Sequence, residues 1–281
     1  MRRRYFCLRG HMKSGTNWLG KILSSHPDID CVGEYHWQNV FEAFQSNLDN
    51  VALYKEDSKY RLEVKQLFVE FVRNCLDRAA PNAKVIGERT PTTLAPLVIP
   101  DAPHVSIIRD GRDILVSRAF HLFNYPEVHR LFDRLPEMRK DFEKFQQDPW
   151  FFKENPHVLL RHEVMVKESC IWWRDHFVSD RKLLDQNPFL KVHFVRYEDL
   201  HVDLEQERKK LFEFLGVNPA DAPPLDDEIR PGFKKERPNE FFRKGKTGDW
   251  QNYFTDQTKT WFKEVAGEEL IRQGYVESND W

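Results

Sequence analysis

No stretch of this sequence approaches the roughly 18 uninterrupted apolar residues of a membrane-spanning helix, so no span is expected. A surplus of either charge is also missing. Lys and Arg number 43 against 45 Asp and Glu, a formal net charge of −2, which excludes the broad basic field of a non-specific nucleic-acid binder. Any anion site must be a local cluster. Cysteine is scarce and scattered, at Cys7, Cys31, Cys75 and Cys170 with no Cys-x-x-Cys, which excludes a disulfide framework and fits reduced, buried thiols in the cytoplasm. Neither these cysteines nor His11, His26 and His36 have the spacing of metal ligands, so no metal is expected. The apolar run after the basic start (Met1 to Arg4) ends within four residues, too short for a secretory signal. Internal repeats and low-complexity tracts are absent.

What is present is an alternation of short apolar runs and helical patterns. With 281 residues, 40% of them hydrophobic, the chain can build one large α/β domain or two small ones. Strands are predicted at 5–8, 30–33, 84–87, 105–108 and 191–195, and helices at 17–25, 60–79, 112–123 and 204–215. In the second helix Val64, Leu67, Phe68, Phe71, Val72, Cys75 and Leu76 share one face. Asp203 is a predicted N-cap with Gln206 three residues on, and Gly216 a predicted stop. Such alternation predicts a central parallel sheet of about five strands flanked by helices, with ligands at the strands' carboxyl ends. Residues 124–167 are aromatic and interrupted by proline; helices and a mobile surface are expected there. Residues 219–239 read as a long loop.

The strongest local signal runs from Arg9 through Gly10, His11, Met12, Lys13, Ser14, Gly15, Thr16 and Asn17 to Trp18, after a strand and into a helix. Glycine lets the backbone approach an anion, and the amides that open the helix point at it. Lys13 adds a charge, and Ser14 and Thr16 add hydroxyls. Gly10 and Gly15 have Walker spacing, but Thr16 and Asn17 follow where Lys and Ser/Thr would stand, so the usual Mg²⁺-holding hydroxyl position is missing. A second element has Arg109 at a strand end and Ser117 about two turns into the next helix, a guanidinium and a hydroxyl that together suit a phosphate. Arg112 and Asp113 read as surface residues of the helix start. A third element, Arg243, Lys244, Gly245 and Lys246 before Gly248, Asp249 and Trp250, is a flexible basic loop able to fold over an anion.

Together, and in this order, the three elements resemble the sulfotransferases that use 3′-phosphoadenosine-5′-phosphosulfate (PAPS). The motifs span residues 9 to 250 or so, and the resemblance implies a P-loop-kinase-like sulfotransferase fold with residues 1–281 as a single domain. It further implies that Lys13 to Trp18 hold the 5′-phosphosulfate and that Arg109 and Ser117 bind the 3′-phosphate together with Arg243, Lys244 and Gly245. Trp18 and Phe233 match positions that sandwich the adenine, for which aromatic stacking is a sound reason. Tyr197 matches a strand-end tyrosine near the nucleotide.

The sequence departs from the cytosolic branch where that branch carries its base histidine. Arg89 stands there, and arginine is not a base at neutral pH. The tyrosylprotein and heparan sulfate enzymes use a glutamate after the second strand, and Glu34 occupies that place, with His36 as the alternative base. Arg89 then orients Glu34 or holds an anionic group of the acceptor. The short dimer motif of many cytosolic members is unmatched at Gln251, Thr255, Asp256 and Thr260, so that mode of assembly is not expected. The implied partner is a small-molecule acceptor, its pocket lined by residues after Glu34, by 90–97 and by 124–167. Phe41, Phe44, Phe120, Phe123, Tyr125, Trp150 and Phe151 suit such a pocket, though core is the favoured role for them. Two other readings stay open: a small-molecule kinase, which would want a Walker lysine and a Mg²⁺ carboxylate, and a non-catalytic nucleotide-binding protein.

Overall fold

Strands buried on both faces read as short apolar runs, and among the described residues the central β-strands at Arg4–Gly10, Val85–Arg89 and His104–Ile108 are of this kind, while those at Ile29–Gly33 and Val192–Arg196 are part-exposed. A computed structural model describes residues 3–56, 58–125, 131–230, 236–240 and 244–281. The strands are β1 (Arg4–Gly10), β2 (Ile29–Gly33), β3 (Val85–Arg89), β4 (His104–Ile108) and β5 (Val192–Arg196). They form one sheet in the order β2-β3-β1-β4-β5, each neighbouring pair parallel. The chain order reverses around β1, which makes the carboxyl ends of β1 and β4 the crevice where such sheets take ligands.

The described residues group into two compact units. The first holds 3–11, 15–108 and 180–229. It contains the sheet, α1 (Thr16–Leu23), α2 (Trp37–Asn50), α3 (Ala52–Glu56) and α4 (Ser58–Ala79), and further on α11 (Tyr197–Val202) and α12 (Leu204–Phe214). Side chains alternate across the strands. Phe6 and Leu8 of β1, with Val105 and Ile107 of β4, pack under Leu19 and Ile22 of α1 and Leu211 and Phe212 of α12. Cys7 and Ile86 point the other way, onto Phe41 of α2 and Phe68, Val72 and Leu76 of α4. Each such side chain contributes about 1.5–3 kcal/mol when fully buried. The stripe on α4 is narrower than its sequence pattern predicts: Leu67 and Phe71 are 63% and 52% exposed. The i, i+4, i+8 row of Phe68, Val72 and Leu76 is enough to cover this face.

The second unit draws on 12–14, 109–179 and 230–281. It contains α5 (Gly111–Asn124), α6 (Leu131–Arg134), α7 (Pro136–Gln147), α8 (Phe151–Glu154), α9 (Pro156–Leu159) and α13 (Asp256–Arg272), while α10 (Glu163–Gln186) contributes to both units. Its core is aromatic. Phe120 meets Phe145, Phe152 and Tyr253 edge-to-face at 6.3, 6.0 and 5.6 Å, and Phe123 lies 4.5 Å from Phe152. Phe41, Phe120 and Phe123 thus take the core role favoured for them, whereas Trp150 is 40% exposed.

Candidate active site

The turn out of β1 has an unusual backbone. Gly10, Lys13 and Gly15 have φ of 150°, 71° and 107°. For Lys13 this is the sparsely populated left-handed region, a conformation that clusters at binding sites. Gly15 is required twice over: its φ favours glycine, and a Cβ there would lie 2.8 Å from Tyr197 Cδ2. Gly15 is also the N-cap of α1, and no side chain caps the helix, so the amides of the first turn stay available to an anion. The Ser14 hydroxyl is buried with no hydrogen-bond partner. A buried orphan hydroxyl beside helix-opening amides fits a phosphate oxygen. Thr16 is buried at the first position of α1, while Asn17 and Trp18 are half-buried.

In the first unit, strand register assembles a second group. β2 pairs with β3 so that Gly33 lies opposite Arg89, which brings the next residue, Glu34, alongside the Arg89 side chain. An Arg89 amino group donates to Glu34 Oε1 at 3.4 Å, and His36 Nε2 stands 3.9 Å from Glu34 Oε2. The Arg89 stem passes Gly20 of α1, where a Cβ would come within 3.1 Å of Arg89 Cδ. Glu34 keeps 31% of its side chain exposed, open to a proton donor. Beneath, Arg9 and Glu88 form a fully buried ion pair at 2.6 Å, and the Thr90 hydroxyl donates to Glu88. Rings follow Glu34 in sequence: Trp37 is 5.8 Å from Tyr35 and meets Phe71 edge-to-face at 5.6 Å.

Trp18 has a fixed ring. Its indole N–H donates to the Ile229 carbonyl at 2.6 Å, and it contacts Tyr197 and His201 at 5.3 and 5.1 Å. Tyr197 opens α11 and is buried, so it acts on the loop through Gly15. Phe233 and Arg243 lie outside the described residues.

In the second unit Arg109 joins two loops. One amino group donates to the Lys13 carbonyl at 3.1 Å and the other to the Lys246 carbonyl at 3.0 Å. The phosphate-loop lysine and the C-terminal basic loop, far apart in sequence, therefore share one guanidinium. Asp113 fixes the same loop: its carboxylate accepts the Gly248 N–H at 2.7 Å and the Trp250 N–H at 2.9 Å. Burial pushes the Asp113 carboxyl up, against the opposing pull of Arg109 and those two amides. Lys244 pairs with Asp249 at 2.6 Å, and Gly245 takes a φ of 61°. Ser117 is half-buried on α5. The expectation that Arg112 and Asp113 face solvent is corrected, since they are only 6% and 2% exposed. The acid that anchors the basic loop carried no motif signal; its partners are backbone amides 135 and 137 residues away.

The sulfotransferase domain family matches the chain over residues 5–274. Sulfotransferase 1E1 of Bos taurus is 24% identical over 266 residues, covering 86% of this chain and 75% of its own length. Flavonol 3-sulfotransferase of Flaveria bidentis is 30% identical over 132 residues, covering 38% of this chain and 42% of its own. Among solved structures, mouse sulfotransferase SULT7A1 in complex with PAP covers 98% of this chain and 87% of its own at 20% identity, with a TM-score of 0.49.

Proposed function

The chain belongs to the sulfotransferase domain family, and from that premise we propose that it moves the sulfuryl group of PAPS to a hydroxyl or amine of a small-molecule acceptor. PAPS supplies an activated sulfuryl group on a phosphate leaving group, and 3′,5′-adenosine bisphosphate is the product. One observation carries the donor half of this reading: Lys13 at a φ of 71°, the orphaned Ser14 hydroxyl and the uncapped start of α1 follow one another along a single strand–helix turn. Lys13 neutralises charge building on the leaving oxygen, while Ser14, Thr16, Asn17 and the loop amides hold the 5′-phosphate. The 3′-phosphate falls to Arg109, Ser117, Arg243, Lys244 and Gly245. The stitch from Arg109 to Lys13 and Lys246 supports a shared site for these elements. Trp18 and Phe233 take the adenine, and Tyr197 supports the loop from behind.

Glu34 is the general base. As the acceptor oxygen or nitrogen bonds to sulfur and the bridging sulfur–oxygen bond breaks, the acceptor's proton passes to Glu34. Arg89 orients that carboxylate, and His36 is the alternative base within reach of it. Little covalent work falls to the protein, so alignment and charge placement supply the rate. The rings of Tyr35, Trp37 and Phe71, which begin one residue after Glu34, favour a small apolar acceptor, as do relatives named for flavonols. The whole chain works as one catalytic domain, in the reducing cytoplasm its scattered thiols suit. No described helix is long and apolar enough to cross a membrane. The test is a transfer screen: PAPS with phenols, aliphatic alcohols, amines, glycans and tyrosine peptides, read by mass spectrometry. Sulfated product from an apolar small molecule is expected, and it disappears in Lys13→Ala. No product with any class overturns the reading.

A further inference from the structure

We propose that Trp281 is a positioning residue for the donor site, closing an aromatic clasp on Arg112 that holds the 244–250 loop in its binding shape. The inference rests on the donor reading above for what that loop binds. The segment after α13 is steered back along the helix. Gly274, at φ 72°, donates its N–H to Ile271 O at 2.8 Å, and Tyr275 N–H donates to Leu270 O at 3.1 Å, the paired bonds of a glycine-stopped helix. Asn279 then lies against Gly267 of α13, where a Cβ would come within 2.5 Å of Asn279 Oδ1. This path delivers the Trp281 ring to Trp250, edge-to-face at 5.5 Å, with Phe262 at 5.8 Å behind it.

Between the two indoles sits Arg112, its guanidinium carbon 4.1 Å from the Trp250 ring centre and 4.7 Å from that of Trp281. Lys263 approaches the same Trp281 ring at 4.9 Å. Asp110 holds the other edge of Arg112 by bonds of 3.0, 3.1 and 2.7 Å, and the same carboxylate caps α5 through the Arg112 N–H at 2.9 Å. One turn of helix thus carries Arg112, gripped by the indoles, and Asp113, which fixes Gly248 and Trp250. The Trp281 indole N–H is buried without a hydrogen-bond partner, so ring faces and cations hold it. Removing the ring frees Arg112 and Trp250 together and loosens the loop that presents Lys244 and the Lys246 carbonyl to Arg109.

The test compares wild type with Trp281→Leu, which keeps apolar bulk but loses the ring, and with Trp281→Phe. Two measurements are made: calorimetric titration with 3′,5′-adenosine bisphosphate, and hydrogen exchange at the Gly248 and Trp250 amides of the nucleotide-free protein. Trp281→Leu is expected to raise Kd about tenfold, as loss of a desolvated cation–ring contact allows. It should raise KM for PAPS alike, leave kcat within about twofold, and speed exchange at both amides. Trp281→Phe should restore most of each. Unchanged exchange and Kd in Trp281→Leu overturn the clasp, and so does a variant that fails to fold, which would make the residue structural. If wild type does not bind the nucleotide while exchange still responds to Trp281, the donor reading falls and the clasp stands.

Discussion

Glu34 has one guanidinium at 3.4 Å, one imidazole at 3.9 Å and a third of its side chain in solvent. Glu34→Gln is expected to lower kcat about 100-fold or more with little change in KM for PAPS, whereas His36→Ala should leave kcat within about threefold; the reverse pattern in steady-state rates gives the base role to His36. Asp180 shows a different use of a carboxylate. Burial pushes it up to about 7, against the hydrogen bond it accepts from Leu94 N–H at 2.8 Å and the charges of Arg9 and Arg181. Its folded pKa lies above the unfolded value of 3.8, so the folded state binds the proton more tightly. The stability this gives is complete below about pH 4 and is lost as pH rises toward 7. Asp180→Asn keeps the acceptor for Leu94 without the ionisation. In urea titrations the variant should match wild type near pH 4 and exceed it by up to about 4 kcal/mol at pH 8. A difference independent of pH would contradict the assignment.

At the scale of elements, β1 and β3 are matched by one ring and one missing side chain. Phe6 lies opposite Gly87, and a Cβ on Gly87 would strike the Phe6 ring. Gly87→Ala should therefore cost about 1–3 kcal/mol in denaturant unfolding, with part recovered when Phe6→Leu is added. A fully additive double variant would show that the two do not meet. The strands were legible as short apolar runs, and the helices over 60–79, 112–123 and 204–215 as helical patterns marked in places by caps such as Asp203 and stops such as Gly216. Among the described helices, α2, α3, α10, α11 and α13 were not, and within 124–167 helices were expected without bounds. α2 buries only Phe41 and Leu48, so its pattern is too polar to read, and the apolar residues of α10 and α13 sit among charges at irregular spacing. Thr255, at a mismatch in the dimer motif, caps α13 by accepting the Thr258 N–H at 3.2 Å.

For the whole molecule, the three basic elements stood out in the sequence because each is contiguous and chemically marked. What joins them did not. Arg109 reaches carbonyls of Lys13 and Lys246, and any residue there would offer the same carbonyl. Asp113 likewise binds amides that leave no trace in residue identity. The loop after β1 lacks the Walker lysine and the hydroxyl that holds Mg²⁺, so transfer should proceed unchanged in EDTA, and a rate that requires Mg²⁺ would favour the kinase reading. The most direct test of the account is a calorimetric comparison of 3′,5′-adenosine bisphosphate with ADP on the intact chain. The account predicts that the 3′-phosphate binds far more tightly, by about 100-fold or more, as charge-assisted contacts from two loops require. Equal affinity for the two nucleotides, or binding of neither, would contradict it.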